Sequence, residues 1–413
     1  MTQKSFFIAL IISISAIYSY SQDFNFENPS SPYSNPITTA VPSLLISPDS
    51  RGSGMGELGV ATSSDINSQH HNAAKYVFNK SMFGISMSYS PWLKELVGDI
   101  DLAYVAGFVK LTEMDAIAMS LRYFSMGAIQ FTDYFGQPIG GERSPHEYAI
   151  DLSYSRKFTD AFSMAITPRF IYSNLASNVE VGGLDMKPGM AGAADVAFFY
   201  EQDFKSLNYA NQTVRAGLVV SNIGNKISYT NGSINKDFLP TNLRIGVSYT
   251  VDFDKYNKLT FSGELSKLLV PTKPIIMTDE LGRPIMNGEE YTYFGNGINP
   301  QRISVVQGMI RSFYDAPGGF NEEMREIIWS FGAEYYYNDL FALRAGAFFE
   351  NKYKGSRKFA EIGIGLKYNV FNIDVSYLIS FTKSNPLENT LRFSLGFNFD
   401  SFYASEIKKQ GIK

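Results

Sequence analysis

Thr241-Asn242-Leu243-Arg244-Ile245-Gly246-Val247-Ser248-Tyr249-Thr250-Val251-Asp252-Phe253 alternates without a break. Leu243, Ile245, Val247, Tyr249, Val251 and Phe253 share one face, while Arg244, Gly246, Ser248, Thr250 and Asp252 share the other. A period of two marks a strand, whose successive side chains point to opposite sides of the sheet. The polar face is the informative one. Charges facing a dry sandwich core would be costly, whereas they suit a barrel with a polar lumen and an apolar outside.

The same pattern recurs down the chain. Ile362, Ile364, Leu366, Tyr368 and Val370 alternate with Glu361, Gly363, Gly365, Lys367 and Asn369; Leu391, Phe393, Leu395, Phe397 and Phe399 alternate with Arg392, Ser394, Gly396 and Asn398. Strands are predicted near 81–90, 100–110, 116–127, 147–158, 161–176, 192–203, 214–230, 241–253, 258–272, 327–338, 341–352, 359–370, 371–384 and 389–399. The expected fold is an all-β membrane protein, an antiparallel outer-membrane β-barrel of about fourteen strands spanning 81–399. Segments of this length cross a bilayer when tilted, and an even count allows closure, which leaves no unpaired edge in lipid.

The connections predict an orientation. Links after the second, fourth, eighth, tenth and twelfth strands are tight, as at Thr159-Asp160 and Asn338-Asp339, while those after the third, fifth and ninth are long. Short turns are periplasmic and long loops external in such barrels, so both termini are expected on the periplasmic side. Lys273–Glu326 is the longest connection, with a turn at 279–284 and a helix around Gln301–Tyr314. A loop of more than about 15 residues usually has a function or is disordered.

Composition agrees with a membrane barrel. Aromatic residues make up 15%, with 33 Phe and 26 Tyr, and charged residues only 18%, against about 25% in soluble domains. Residues 1–21 read as a signal peptide: Lys4, an apolar run from Phe6 to Tyr18, and a small-x-small site at Ser19-Tyr20-Ser21. The chain has no cysteine, which excludes disulfides, thiolate metal sites and a lipid-anchored N-terminus. Net charge is −4 without a long basic run, which argues against nucleic acid.

Residues 22–80 precede the first strand. Asp23–Pro36 reads as extended, and the part that follows is expected to tuck into the periplasmic mouth as a plug, with Arg51, Gly54, Met55, Gly56 and Asn72 as structural positions. Gly52–Gly59 lacks the strand-loop-helix setting and GK[ST] of a phosphate-binding loop, so close backbone packing is the better reading. His70 and His71 are adjacent, an arrangement that rarely converges on one metal ion; packing in the plug is favoured, and no metal or cofactor is expected. His146 shares the parity of Tyr148 and Ile150, hence a lipid-facing position, and nothing in the sequence brings a nucleophile to it; no enzymatic activity is expected. Arg244, Asp252, Glu264, Glu334, Arg344, Glu361, Lys367 and Asp374 either line a channel or form ion pairs that rigidify a filled barrel.

Three stretches carry a resemblance. Val41-Pro42-Ser43-Leu44-Leu45-Ile46-Ser47-Pro48-Asp49-Ser50-Arg51, continued by Gly54-Met55-Gly56, Gly59-Val60-Ala61-Thr62 and Asn67–Tyr76, is similar to the N-terminal region of the PorV family of type IX secretion. Ser312-Phe313-Tyr314-Asp315-Ala316-Pro317-Gly318-Gly319-Phe320-Asn321-Glu322-Glu323 resembles the same family within the long loop. Val220-Ser221-Asn222-Ile223-Gly224-Asn225-Lys226-Ile227 resembles it too, and is shared with the wider FadL-like barrel group. Departing from many barrels, Phe399 is followed by a tail, Asp400–Lys413, which the orientation places in the periplasm.

The resemblance implies a non-enzymatic protein in the outer membrane of a Bacteroidota-type Gram-negative cell. It implies binding to the C-terminal signal domain of secreted cargo, association with a SprA/Sov-type translocon barrel, and delivery to an attachment complex containing a PorU-type sortase. The alternative is a FadL-like channel for hydrophobic small molecules. In the long loop Ile303, Val305, Val306, Met309, Ile310, Phe313 and Tyr314 are the candidate partner-binding residues, since apolar and aromatic anchors dominate interfaces. A lid folded over the barrel mouth is the other reading of that loop.

Overall fold

The computed structural model describes residues 34–399 apart from 95–96, 131, 133–134, 139–140, 176–179, 182–183, 206–210, 231–235, 280–282, 289, 294–298 and 382–385. The expected signal peptide, most of the extended stretch, part of the turn at 279–284 and the C-terminal tail lie outside the described residues. Asn35–Lys413 forms one compact unit.

Fourteen strands close into an antiparallel barrel, each paired with its neighbour in sequence. They are β1 Phe83–Pro91, β2 Ile100–Lys110, β3 Asp115–Met126, β4 His146–Lys157, β5 Phe162–Asn174, β6 Gly189–Lys205, β7 Asn211–Gly224, β8 Asn242–Asp252, β9 Asn257–Leu268, β10 Ile328–Tyr337, β11 Phe341–Phe349, β12 Lys358–Tyr368, β13 Phe371–Ser380 and β14 Leu391–Asn398. Closure pairs β1 with β14, from Gly84 opposite Asn398 to Tyr89 opposite Phe393. Every strand edge in the wall is thereby satisfied, as a lipid environment demands.

The alternation seen in the sequence becomes inside against outside. On β8, Ile245, Val247 and Tyr249 are exposed on the outer wall, while Arg244, Ser248 and Thr250 are buried in the lumen. An aromatic row stands outside near the long-loop end: Tyr148 stacks on Tyr172 at 4.8 Å, and His146 lies between Tyr123 and Tyr172 at 6.0 and 6.1 Å. Such girdles mark the membrane interface. β7 departs from regularity at Asn222, whose φ is +59°, opposite a register shift between Ala194 and Val196 on β6. It leaves the wall after Gly224, earlier than the strand predicted to 230.

One end of the barrel carries short turns and the other carries the long connections, as the sequence predicts. The plug is more extensive than expected. Its described chain starts among the long loops, where the Asn35 amide donates to the Tyr353 carbonyl at 2.9 Å and that of Ala40 to Phe238 at 2.9 Å. It then descends through α1 (Ser50–Ser53) and α2 (Ser68–His71). A 3-10 turn over Ala73–Phe78 brings it to the short-turn end, where Lys110 donates to the Asn79 carbonyl. The plug thus runs the length of the lumen rather than sitting in one mouth; the N-terminus predicted to be periplasmic lies outside the described residues.

Candidate functional site

The plug is locked to the wall by charge. Arg51 donates through Nε and Nη2 to the two Glu334 carboxylate oxygens at 2.9 and 2.8 Å, and Nη1 reaches Asp65 at 2.7 Å. Glu334 also accepts from Arg344 at 2.8 Å, and Arg344 continues to Asp374 at 2.6 Å. Arg392 pairs with Glu361 and with Glu57 of the plug. Glu264 accepts from the Gly59 and Val60 amides, both at 2.9 Å. Arg244 donates to the His70 and His71 carbonyls, at 3.1 and 2.7 Å. Most of the wall charges noted in the sequence therefore spend themselves on the plug or on one another, which is the condition for keeping charges buried. Lys367 and Asp252 stand apart, near the short-turn rim, and Lys367 is exposed.

The plug positions have distinct tasks. Asn72 donates through Nδ2 to the carbonyls of Val60 (2.9 Å) and Phe198 (3.0 Å), and its Oδ1 accepts from the Ala74 amide (3.0 Å). Gly54, Met55 and Gly56 press backbone to backbone on wall glycines. A Cβ on Gly346 would fall 2.0 Å from the Met55 carbonyl carbon, and one on Gly54 would fall 3.1 Å from the Gly363 Cα. Gly56 adopts φ +82°, a region that favours glycine. The adjacent histidines diverge: His71 meets Asp49 at 2.7 Å, and His70 Nδ1 accepts from Arg122 at 2.8 Å. His146 donates from Nδ1 to the Ser144 carbonyl at 2.9 Å, its ring held in the outer aromatic row.

At the other extreme of the plug lies the long loop, with α3 (Val305–Arg311) and α4 (Phe320–Arg325). Ser304 caps α3, its hydroxyl accepting from the Gln307 amide while the Gln307 side chain accepts from the Ser304 amide. This reciprocal pair satisfies donors the first turn leaves open. Gly319 enters α4 at φ 66°, ψ −154°, a conformation for glycine alone. Below it lies an ionic cluster: Lys267 donates to Glu323 (2.9 Å) and Glu326 (2.5 Å), and Lys354 to Glu322 (2.5 Å) and Glu326 (2.9 Å). Asp315 is buried beside Glu323, Glu326 and Lys267 and accepts from the Thr272 amide. Burial pushes its carboxyl up to about 7, with Glu323 and Glu326 adding to the effect.

The candidate loop residues do not form one surface. Ile303 is buried against Phe238 and Val270, with Val305 packed on the same cluster, and Met309 is half-buried. Val306, Ile310, Phe313 and Tyr314 are exposed, at 62, 59, 51 and 48%. Phe320 and Met324 of α4 are exposed as well. Sequence reasoning passed over Lys226, whose Nζ donates to the carbonyls of Pro300 (2.7 Å) and Ile303 (2.8 Å) and lies 4.3 Å from the centre of the Phe238 ring. Its signal was present in the Val220–Ile227 stretch.

Against this geometry stands a family match. The model for "Type IX secretion system protein PorV" matches residues 30–275, which include the whole described plug and β1 to β9. The chain belongs to the PorV family. It is an outer-membrane barrel of the type IX secretion system, a secretion or transport protein. Solved structures similar to it include the toluene transporter TbuX of Ralstonia pickettii, at 10% identity over 85% of this chain and 98% of that one, TM-score 0.45. The Pseudomonas putida toluene transporter TodX is 9% identical over 88% and 98%, TM-score 0.46. A Pseudomonas aeruginosa FadL homologue is 11% identical over 89% and 100%, TM-score 0.39. No curated protein sequence matches the chain.

Proposed function

We propose that this PorV-family protein binds the C-terminal signal domain of type IX cargo, docks on the translocon barrel and carries cargo to the surface attachment complex. The observation that carries this reading is the exposed apolar face of the long loop, Val306, Ile310, Phe313 and Tyr314, held out on a barrel whose lumen is occupied by its own plug. A protein surface is what such a face suits, because aromatic and aliphatic anchors release the most free energy when a partner covers them. Uptake of hydrophobic molecules would instead need a route past a plug fixed by Arg51–Glu334 and Arg392–Glu57.

The test is purification of a tagged copy from its native outer membrane in mild detergent, followed by mass spectrometry. Recovery of a very large barrel protein, with secreted proteins sharing a C-terminal domain, supports the carrier reading. A solitary barrel holding a lipid or another apolar small molecule overturns it in favour of an uptake channel.

A further inference from the structure

The helix that presents the apolar face is short. α3 has seven residues, and isolated helices below roughly 12 residues are marginal in water. Its position must come from what lies beneath it. Phe238 is in contact with Gly308, where a Cβ would fall 2.8 Å from the ring. Ile303 and Val305 share a cluster with Phe238, Val270 and one residue from far upstream, Ile37.

Ile37 belongs to the stretch at which the described chain enters the barrel. Beside it, Asn35 Nδ2 donates to the Lys273 carbonyl at 3.1 Å, where the long loop begins, and approaches Glu322 of α4 at 3.5 Å. The backbone of the same stretch is bonded to Tyr353 and Phe238, which lie on two other connections. Three external loops are therefore tied through one strand of chain. A few residues on, Val41 and Leu44 are buried with Ile171, Ala191 and Leu239, and Arg122 grips the Ser43 and Ile46 carbonyls at 2.6 and 2.9 Å. From there the chain continues into the ion-paired plug.

We propose that Asn35–Val41 is a strap through which the lumen plug positions the apolar docking helix, with Ile37 and Asn35 as its positioning residues. The idea rests on the proposed docking role of α3 only for its biological use; the mechanical link stands by itself. One consequence is reciprocity: a partner that orders α3 also stabilises the plug, since two sites joined by one packed segment share a coupling free energy.

The chain contains no cysteine, so a single reporter is unambiguous. Val306→Cys, exposed on α3, would carry a nitroxide on the purified full chain, with spectra recorded in the absence of any partner. Ile37→Ser is expected to raise the label's mobility several-fold, Asn35→Ala by a smaller factor, and Thr38→Asp, at an exposed position in the same stretch, not at all. Heat-resistant gel mobility of the barrel is read in parallel, and Asn35→Ala, at the rim, keeps the test valid should Ile37→Ser fail to fold. An equally ordered label in both strap variants overturns the proposal. Because no partner is present, that result is separate from failure to capture translocon or cargo, which would overturn the docking role alone.

Discussion

Glu334 pairs with two arginines at once, Arg51 from the plug and Arg344 from the neighbouring strand, at 2.8 Å each. The three groups do not depend on one another equally. Without Arg51, Glu334 keeps Arg344 and only the part-exposed Asp65 loses its cation; without Glu334, both guanidiniums lose their most buried partner, Arg51 being left with Asp65 and Arg344 with Asp374. Removing one member of a buried pair costs about 3–5 kcal/mol, mostly because the other charge is stranded. Glu334→Ala is expected to fall in that range and Arg51→Ala clearly below it. The temperature at which the folded barrel loses its fast gel mobility reads both, and equal losses would contradict the shared-carboxylate account.

Steric fit between plug and wall makes a second prediction. Gly346 has no room for a methyl against Met55, whereas Gly263 faces the outer wall, where a Cβ would meet Phe331 at an ordinary 3.6 Å. Overpacking a close-fitted interior costs typically 1–3 kcal/mol. Gly346→Ala is expected to destabilise the barrel by at least that much, since the obstacle is backbone, and Gly263→Ala to be close to neutral. Calorimetry in detergent distinguishes the two.

The strands were legible because their period of two is local: Thr241–Phe253 brackets β8 within one residue at each end. The course of the plug was not. Its partners lie across the chain, as with Arg51 and Glu334, 283 residues apart, and a segment without periodicity carries no mark of which strand it will touch. The loop residues are an intermediate case. Val306, Ile310 and Phe313 recur at the i, i+4, i+7 spacing of one helix face, while Val305, Gly308 and Ser312 fall on the other. The period was there to separate the exposed residues from Ile303 and Val305, but only Phe238 and Ile37 reveal which face is covered.

Protonation of Asp315 gives the loop a dependence on pH. Burial, reinforced by Glu323 and Glu326 and opposed by Lys267 and the Thr272 amide, lifts its carboxyl from 3.8 to about 7. Burial raises Glu323 as well; for Glu326 burial is outweighed by Lys267 and Lys354, which lower it. A folded-state value above the unfolded one means the folded loop binds the extra proton, so the contribution of Asp315 is complete below about pH 4 and fades as pH rises through about 7. Loop order, read by a nitroxide at Val306→Cys, is expected to decline between pH 6 and pH 8. Asp315→Asn should flatten that decline. An unchanged pH profile in the variant would assign the dependence to other groups.

The exposed face of α3 and the buried Ile303 just before it make opposite predictions, and the contrast separates docking from folding. Ile310 projects from the outer face and is 59% exposed, whereas Ile303 is 9% exposed against Phe238 and Val270. An aspartate at an exposed site disturbs folding little, because its charge stays in water. The same charge beneath the helix is forced against Phe238 and Val270, and the adjacent Lys226, already engaged by the Pro300 and Ile303 carbonyls, offsets only part of the cost of burying it. Ile310→Asp is therefore expected to leave loop order and barrel stability unchanged while reducing co-purification of secretion partners by at least tenfold, since a central apolar anchor is worth about 2 kcal/mol or more. Ile303→Asp should reduce partner recovery as well, but with a mobile loop in the isolated protein. Unaltered recovery with Ile310→Asp would move the contact off this face and onto another part of the outer surface.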